Sequence, residues 1–232
     1  MPEQSKDQKK TIETLILSDL HLGLNLSRTD KIAEVIESYH FKRLILNGDI
    51  FDDLNFKRLR SGHWEILSKV RKLSKTTEVI WINGNHDGAA IFLSHLLGIK
   101  VFDKYIWQTG DKRYLAIHGH QFDRFLSENK FISDLAVWLY ILARKYEGKN
   151  KTITNWARAR SKSYLRMSEE VARGAVAFAK LRKCQYVFCG HTHLPKALEL
   201  DGIKYYNSGC CVDIPLSYIT ITADEINLIN LR

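Results

Sequence analysis

A single α/β domain organised on a parallel sheet is the fold class predicted by three observations. Between Thr11 and Leu97 the order apolar strand, polar loop, helix is read three times, and such alternation belongs to parallel sheets whose ligands gather at the carboxyl ends of the strands. Two further apolar runs each open directly into a histidine-containing loop. The 232 residues are 45 % apolar, enough for one core with an inserted subdomain.

Thr11 to Leu17 is β-prone and apolar and runs into Ser18-Asp19-Leu20-His21-Leu22-Gly23, a core strand ending in a loop. Ile32, Val35, Ile36 and Tyr39 set an amphipathic helix over Arg28 to Tyr39. A second strand, Arg43 to Leu46, delivers Asn47-Gly48-Asp49-Ile50-Phe51-Asp52. A helix from about Gly62 to Ser74 carries Trp64, Leu67, Val70, Arg71 and Leu73; the strand Glu78 to Ile82 then leads to Asn83-Gly84-Asn85-His86-Asp87-Gly88 and a short helix near Ala89 to Leu97. Tyr114 to Ile117 delivers His118-Gly119-His120-Gln121-Phe122-Asp123, and Tyr186 to Cys189 delivers Gly190-His191-Thr192-His193. Lys196 to Leu200 and Ile203 to Tyr206 are joined by Asp201-Gly202, a two-residue hairpin signal, and strands near Tyr218 to Thr222 and Ile226 to Leu231 follow.

The segment between the fourth and fifth loops reads as a helical insertion at about 124–183 within one domain, 1–232. Phe131, Leu135, Trp138, Leu139, Leu142 and Tyr146 mark one helix face; Trp156, Tyr164, Met167, Val171 and Phe178 mark a second, after a break at Gly148 to Lys151. Net charge is +9, and Arg124 to Lys183 carries all of that excess, with 14 basic and 5 acidic residues. Arg158, Lys162 and Arg166 recur every four residues and form one stripe of cations. So localised a charge suits a polyanionic partner: phosphate, nucleic acid or anionic lipid.

The polar, charged residues from Met1 to Lys10 predict a frayed tail rather than a secretory leader. The best apolar run, Leu135 to Ala143, is far shorter than the roughly 18 to 20 residues that cross a bilayer. Cys184, Cys189, Cys210 and Cys211 form no Cys-x-x-Cys pair and suggest buried thiols in a reducing, cytoplasmic setting, although vicinal Cys210-Cys211 could bind a soft metal.

The five loops supply Asp19, His21, Asp49, Asn85, His86, His118, His120, His191 and His193. Carboxylate and imidazole ligands together suit Mn²⁺, Fe²⁺ and Zn²⁺, whereas an all-oxygen set would suit Mg²⁺ or Ca²⁺. Seven of the nine make two sites if Asp49 bridges. Two divalent ions roughly 3.5 to 4 Å apart activate water and clamp an in-line displacement at phosphorus, which points to phosphoester or pyrophosphate hydrolysis. Each loop alone is also an ordinary turn; the ordered set of five at strand ends carries the reading.

Asp19-x-His21, Gly48-Asp49-x-x-Asp52, Gly84-Asn85-His86-Asp87, His118-Gly119-His120 and Gly190-His191-x-His193 resemble, in order, the five motifs of the calcineurin-like metallophosphoesterases. The resemblance implies a four-layer α/β/β/α sandwich with two packed mixed β-sheets and helices outside. It implies two divalent ions, with Mn²⁺ expected and Fe, Zn or Mg as alternatives. Asp19, His21, Asp49 and His193 would hold one ion, and Asp49, Asn85, His118 and His191 the other. It further places His86 near the leaving group, oriented by Asp52. A carboxylate beside an imidazole favours its protonated form, which can donate to the departing oxygen. His120 would lie behind the ligands or at the surface, with direct ligation of an ion as the alternative.

Within that family, the chain length, the insertion and Gly190-His191-Thr192-His193-Leu194-Pro195 are most similar to the UDP-2,3-diacylglucosamine diphosphatases. That group cleaves a sugar-nucleotide pyrophosphate in lipid A synthesis and holds acyl chains with its helical insertion. Ser161-Lys162-Ser163 resembles an element of that insertion, while His86 and His120 stand where the group carries Arg and Asp. The substrate implied is a pyrophosphate-linked, lipidic sugar nucleotide. Arg158, Lys162 and Arg166 would meet its phosphates, and the basic segment would meet the inner face of an anionic membrane. Two alternatives are a general phosphodiesterase or nuclease, for which the basic insertion would track a nucleic-acid backbone, and a non-catalytic protein-binding scaffold like the related retromer subunit.

Overall fold

The computed structural model describes residues 9–88, 90–123 and 162–232. The first insertion helix expected around Phe131 to Tyr146, with Trp156, Arg158 and Ser161, lies outside the described residues.

Two mixed sheets stack face to face, where the residues alone predict one parallel sheet. The first runs β11-β10-β1-β2-β3-β4 and the second β5-β6-β7-β9-β8. In the first, β1 (Lys10–Leu17), β2 (Tyr39–Asn47), β3 (Glu78–Ile82) and β4 (Lys100–Phe102) are parallel; β10 (Leu216–Ile221) and β11 (Ile226–Leu231) join antiparallel beside β1. In the second, β6 (Lys112–Ile117), β7 (Tyr186–Cys189) and β9 (Ile203–Asn207) are parallel, flanked antiparallel by β5 (Lys104–Thr109) and β8 (Lys196–Leu200). Asp201 and Gly202, both at positive φ, make the tight turn expected between β8 and β9.

The strand runs are apolar without interruption because both faces are covered. Successive side chains point to opposite faces: Leu15, Leu17, Leu44, Leu46, Val79 and Trp81 enter one core, whereas Ile16, Ile45, Ile80 and Ile82 enter the core between the sheets. The first core is closed by α1 (Thr29–Glu37), α2 (Ser61–Leu73) and α3 (Ala90–Leu97), through residues such as Ile32, Val35, Ile66, Val70 and Leu97. Across the middle, Tyr114, Ala116 and Phe188 oppose those isoleucines, and Leu115, Ile117, Val187 and Cys189 face α4 (Lys162–Leu181) on the far side. The buried face of α4 is small, Val171, Ala172, Ala175, Val176 and Ala179, so the helix lies close to its sheet. The layers are therefore α/β/β/α. Among the described residues no helix is long and apolar enough to cross a membrane.

Candidate metal centre

All five motif loops meet at one end of the sandwich. Strands β1, β2 and β3 bring theirs from one sheet, β6 and β7 from the other. Beyond the strand ends the first two loops continue to pair. The N–H of Asp19 donates to the Gly48 carbonyl (3.0 Å), that of His21 to the Asp49 carbonyl (3.0 Å) and that of Leu22 to the Ile50 carbonyl (2.8 Å). The second sheet is tied likewise, the N–H of Gly190 donating to the His118 carbonyl at 3.0 Å.

Asp19, His21, Asp49, His191 and His193 all have φ between 45° and 66°. Non-glycine residues seldom adopt this left-handed region, and the strain persists only where surrounding bonds impose it. The motif glycines serve close approach. A Cβ on Gly84 would lie 2.2 Å from the Asp49 backbone nitrogen, and one on Gly190 would lie 2.5 Å from Asp19 Oδ2.

Two of the triads that result are Asp19, His21 and His193, and Asp49, His118 and His191; within each the ligand atoms lie within 4.8 Å of one another, as they do in a third, His21, Asp52 and His86. His193 Nε2 is 3.1 Å from Asp19 Oδ1 and 3.2 Å from His21 Nε2. Asp49 Oδ2 links the triads, 3.3 Å from His118 Nε2 and 4.0 Å from His21 Nε2. Ligands about 2.1 Å from one ion are separated by about 3.0 to 3.4 Å at neighbouring vertices and by up to about 4.2 Å when opposed, so these spacings suit shared cations. Asp19 Oδ1 and His118 Nε2 are buried yet make no aligned hydrogen bond, and such orphaned buried groups call for an ion or water.

The second nitrogen of two rings, His118 and His191, is held from behind by a hydrogen bond, which fixes the atom that faces the centre, and that of His21 lies near a carboxylate. His118 Nδ1 donates to the Asn47 carbonyl at 2.8 Å, leaving Nε2 toward Asp49. His191 Nε2 lies 2.9 Å from the buried Asp123 carboxylate, leaving Nδ1 as the ligand atom. His21 Nδ1 faces Asp52 Oδ1 at 3.6 Å. Burial opposes the charge on His118, but Asp49 and Asp19 together with the Asn47 carbonyl push its pKa up to about 10. Burial likewise opposes the charge on Asp49, and His118 holds that carboxyl well below its usual range.

Asn85 is exposed in the third loop, next to His86, whose backbone N–H donates to Asp49 Oδ1 at 2.9 Å. His86 and Asp52 also come together, but not as expected. The carboxylate of Asp52 faces His21 and forms an ion pair with Arg58 (2.8 Å), and His86 Nδ1 instead donates to the backbone carbonyl of Asp52 at 2.8 Å. Arg58, on a short 3₁₀ turn, draws the carboxylate away. His120 stands behind the ligands, its ring 5.5 Å from that of His118, and burial with the neighbouring His118 and His191 pushes it down to about 4. Lys162 and Arg166 are exposed on α4; Arg158 lies outside the described residues.

Other residues to which the sequence assigns no role support the site. Buried Asp87 joins the second and third loops. Its Oδ1 accepts from the N–H groups of Ile50 and Phe51, and its Oδ2 from Trp81 Nε1 and the N–H of Gly84. Asp123 and the hydroxyl of Tyr164, which donates to the Thr192 carbonyl, support the histidine loop. The segment after β9 forms a sixth loop: Ser208 Oγ meets Ser18 Oγ at 2.6 Å and the Cys211 N–H donates to the Asp19 carbonyl at 3.1 Å.

The calcineurin-like phosphoesterase family model matches residues 12–195, and the chain belongs to that family. It is thus a metallophosphoesterase-fold protein of a metal-dependent family, with candidate metal-binding residues in place. Solved structures with the same fold include a novel archaeal phosphodiesterase (TM-score 0.54, 17 % identity, 94 % of this chain and 99 % of that one). The phosphoesterase Yfce of E. coli is similar at TM-score 0.53 and 16 % identity, over 94 % and 99 % of the two chains. Vps29 of Chaetomium thermophilum is similar at 0.52 and 10 %, over 94 % and 88 %. No curated protein sequence matches significantly.

Proposed function

We propose that the protein is a binuclear-metal phosphohydrolase that cleaves the pyrophosphate bond of a sugar nucleotide such as UDP-2,3-diacylglucosamine. Asp19, His21, Asp49 and His193 would hold one divalent ion and Asp49, Asn85, His118 and His191 the other, with Mn²⁺ expected and Fe, Zn or Mg as alternatives. The observation that carries the hydrolase reading is the place of Asp49, whose Oδ2 lies within 4.0 Å of both His21 Nε2 and His118 Nε2 and so joins the two triads. When bound, the ions supply activated water at neutral pH and neutralise charge developing at phosphorus.

The chain's own groups handle orientation and the proton. His86 donates Nδ1–H to the Asp52 carbonyl, so its Nε2 is the atom that exchanges a proton with substrate. A protonated ring would donate Nε2–H to the departing oxygen. His86→Ala is expected to lower kcat while metal content survives; an unchanged kcat with a poor leaving group would remove His86 from this role. Asp52 acts through its carbonyl on His86 and through its carboxylate on His21.

The sugar-nucleotide reading draws support from α4. Tyr164 ties the first turns of this helix to Thr192, between two candidate ligands, and Lys162 and Arg166 are exposed on those same turns, on another face from Tyr164. With Arg158 they would meet the diphosphate, the insertion would take the acyl chains, and the basic segment would meet an anionic membrane from its cytoplasmic side. A phosphodiesterase or nuclease is the second reading, favoured by His86 where the diphosphatase group carries Arg. The test compares hydrolysis of UDP-2,3-diacylglucosamine, bis-p-nitrophenyl phosphate and single-stranded DNA with Mn²⁺. Faster turnover of the sugar nucleotide is expected, and preference for either other substrate selects the second reading. Co-sedimentation with anionic vesicles should weaken as salt rises; retention insensitive to salt or headgroup charge would exclude the membrane contact.

A further inference from the structure

The vicinal cysteines divide between two environments. Cys211 is wholly buried in the core beneath the first sheet, and burial pushes its thiol pKa up. Cys210, 1 % exposed, turns the other way: its Sγ, a carboxylate oxygen of Asp213 and a ring nitrogen of His193 lie within 4.8 Å of one another. The loop carrying them is fixed, since Ser18 Oγ donates to the Gly209 carbonyl (3.0 Å) and Arg28 donates to the Asp213 carbonyl (3.3 Å).

Sulfur, imidazole nitrogen and carboxylate oxygen are the donor types of zinc sites, at about 2.3, 2.0 to 2.1 and 2.0 to 2.2 Å from the ion. Donors around such an ion stand about 3.3 to 3.7 Å apart, so the triad need close by only about an ångström. His193 is the way in, with 20 % of its side chain exposed. Thiolate selects soft cations over Mn²⁺, whereas Asp19 and Asp49 favour the harder ion.

We propose that His193, Cys210 and Asp213 form a separate seat for a thiophilic divalent cation, zinc or cadmium, beside the binuclear centre. Binding displaces the Cys210 thiol proton to solvent and forms a metal–thiolate bond, with no change of oxidation state. A neutral imidazole offers one lone pair, so this seat competes with Asp19 and His21 for His193. Soft cations in excess would thereby empty one position of the centre. That consequence rests on the function proposed above; the existence of the seat does not.

The test titrates Mn²⁺-loaded protein with Co²⁺ or Cd²⁺ and follows the near-ultraviolet thiolate-to-metal charge-transfer band. The band is expected in the native protein, absent in Cys210→Ser, and shifted to at least about tenfold higher metal concentration in Asp213→Asn. Thermal unfolding of each variant reports folding, and Asp213→Asn decides the matter if Cys210→Ser does not fold. A folded native protein without the band, or a band of unchanged affinity in either folded variant, overturns the proposal. Hydrolysis of bis-p-nitrophenyl phosphate measured alongside separates the two ideas: a band without turnover defeats the hydrolase reading alone.

Discussion

Replacing Asp87 asks whether one buried carboxylate sets the geometry of two ligand loops. Asp87→Asn preserves volume and leaves one acceptor oxygen for the N–H groups of Ile50 (2.9 Å) and Phe51 (3.1 Å). It also turns an amide NH₂ toward Trp81 Nε1–H and the Gly84 N–H, which now sit 3.1 and 3.0 Å from Oδ2. Two hydrogen bonds to a charged acceptor are lost, at about 1.5 to 3 kcal/mol each. Part of that is offset, because burial and the neighbouring Asp49 both push the Asp87 pKa up, so the native carboxylate is itself held at a cost. A net loss of about 2 to 4 kcal/mol follows. Asp87→Ala leaves all four donors without an acceptor and should cost more, about 4 kcal/mol or above. In a domain of this size each kcal/mol moves Tm by about 2 to 4 °C, so the asparagine variant should melt roughly 5 to 15 °C lower. Thermal unfolding with chelator present, followed by circular dichroism, reads this directly. Melting of both variants within about 1 °C of the native protein, or a lower Tm for asparagine than for alanine, would refute the reasoning.

Gly190→Ala places a methyl group 2.5 Å from Asp19 Oδ2 and 2.7 Å from Ser18 Cβ. It should weaken Mn²⁺ binding at least about tenfold by calorimetry while the fold survives; native affinity would show that the loop adjusts freely. Asp123→Asn removes the carboxylate behind His191 Nε2 and should weaken metal binding by about 10 to 100-fold; unchanged affinity in a folded variant would deny Asp123 that role. In chelator, His118, raised from 6.5 to about 10, contributes stability that is full below about pH 6.5 and lost as pH rises toward 10. Asp49, lowered, contributes stability present above about pH 3.8 and lost on acidification. The urea midpoint of metal-free protein should therefore fall between pH 6.5 and 9, and His118→Gln should flatten that fall; a variant with the native slope would exclude His118 as its source. Mn²⁺ affinity should rise over the same range, because the ion must displace the His118 proton.

The strands that carry the site were legible because burial on both faces leaves continuous apolar runs such as Leu15-Ile16-Leu17 and Leu44-Ile45-Leu46. The motif loops then followed at their ends. The division into two sheets was hidden in weak elements: β4 has three residues, and β5 exposes Lys104, Gln108 and Thr109. Only Asp103 separates β4 from β5, and no turn signal announces that the chain changes sheets there. The ligand sets that cross between loops were legible through the family motifs, whereas the contacts that orient those ligands were obscure. The Arg58 ion pair that turns Asp52 toward His21 and the Asp123 contact of His191 span elements that no periodicity connects. The left-handed φ of His21, His191 and His193 was invisible for the same reason, since tertiary hydrogen bonds impose it and local propensity opposes it.

The candidate ligands come from both sheets, which gives the centre a mechanical meaning. Asp49 lies in the loop after β2 of one sheet, whereas His118 and His191 lie in the loops after β6 and β7 of the other. A cation shared by these three would rivet the sandwich shut at one end, working as a removable cross-link between layers otherwise joined by apolar packing and by hydrogen bonds such as that of His118 Nδ1 to the Asn47 carbonyl. Away from the site no ion is needed: the Arg43 guanidinium of β2 crosses to the second sheet and lies 5.5 Å from the centroid of the Trp107 ring. Metal removal would thus let the layers part from the site end first, and amide exchange should quicken around Asn47 and Cys189 before it does around Trp107.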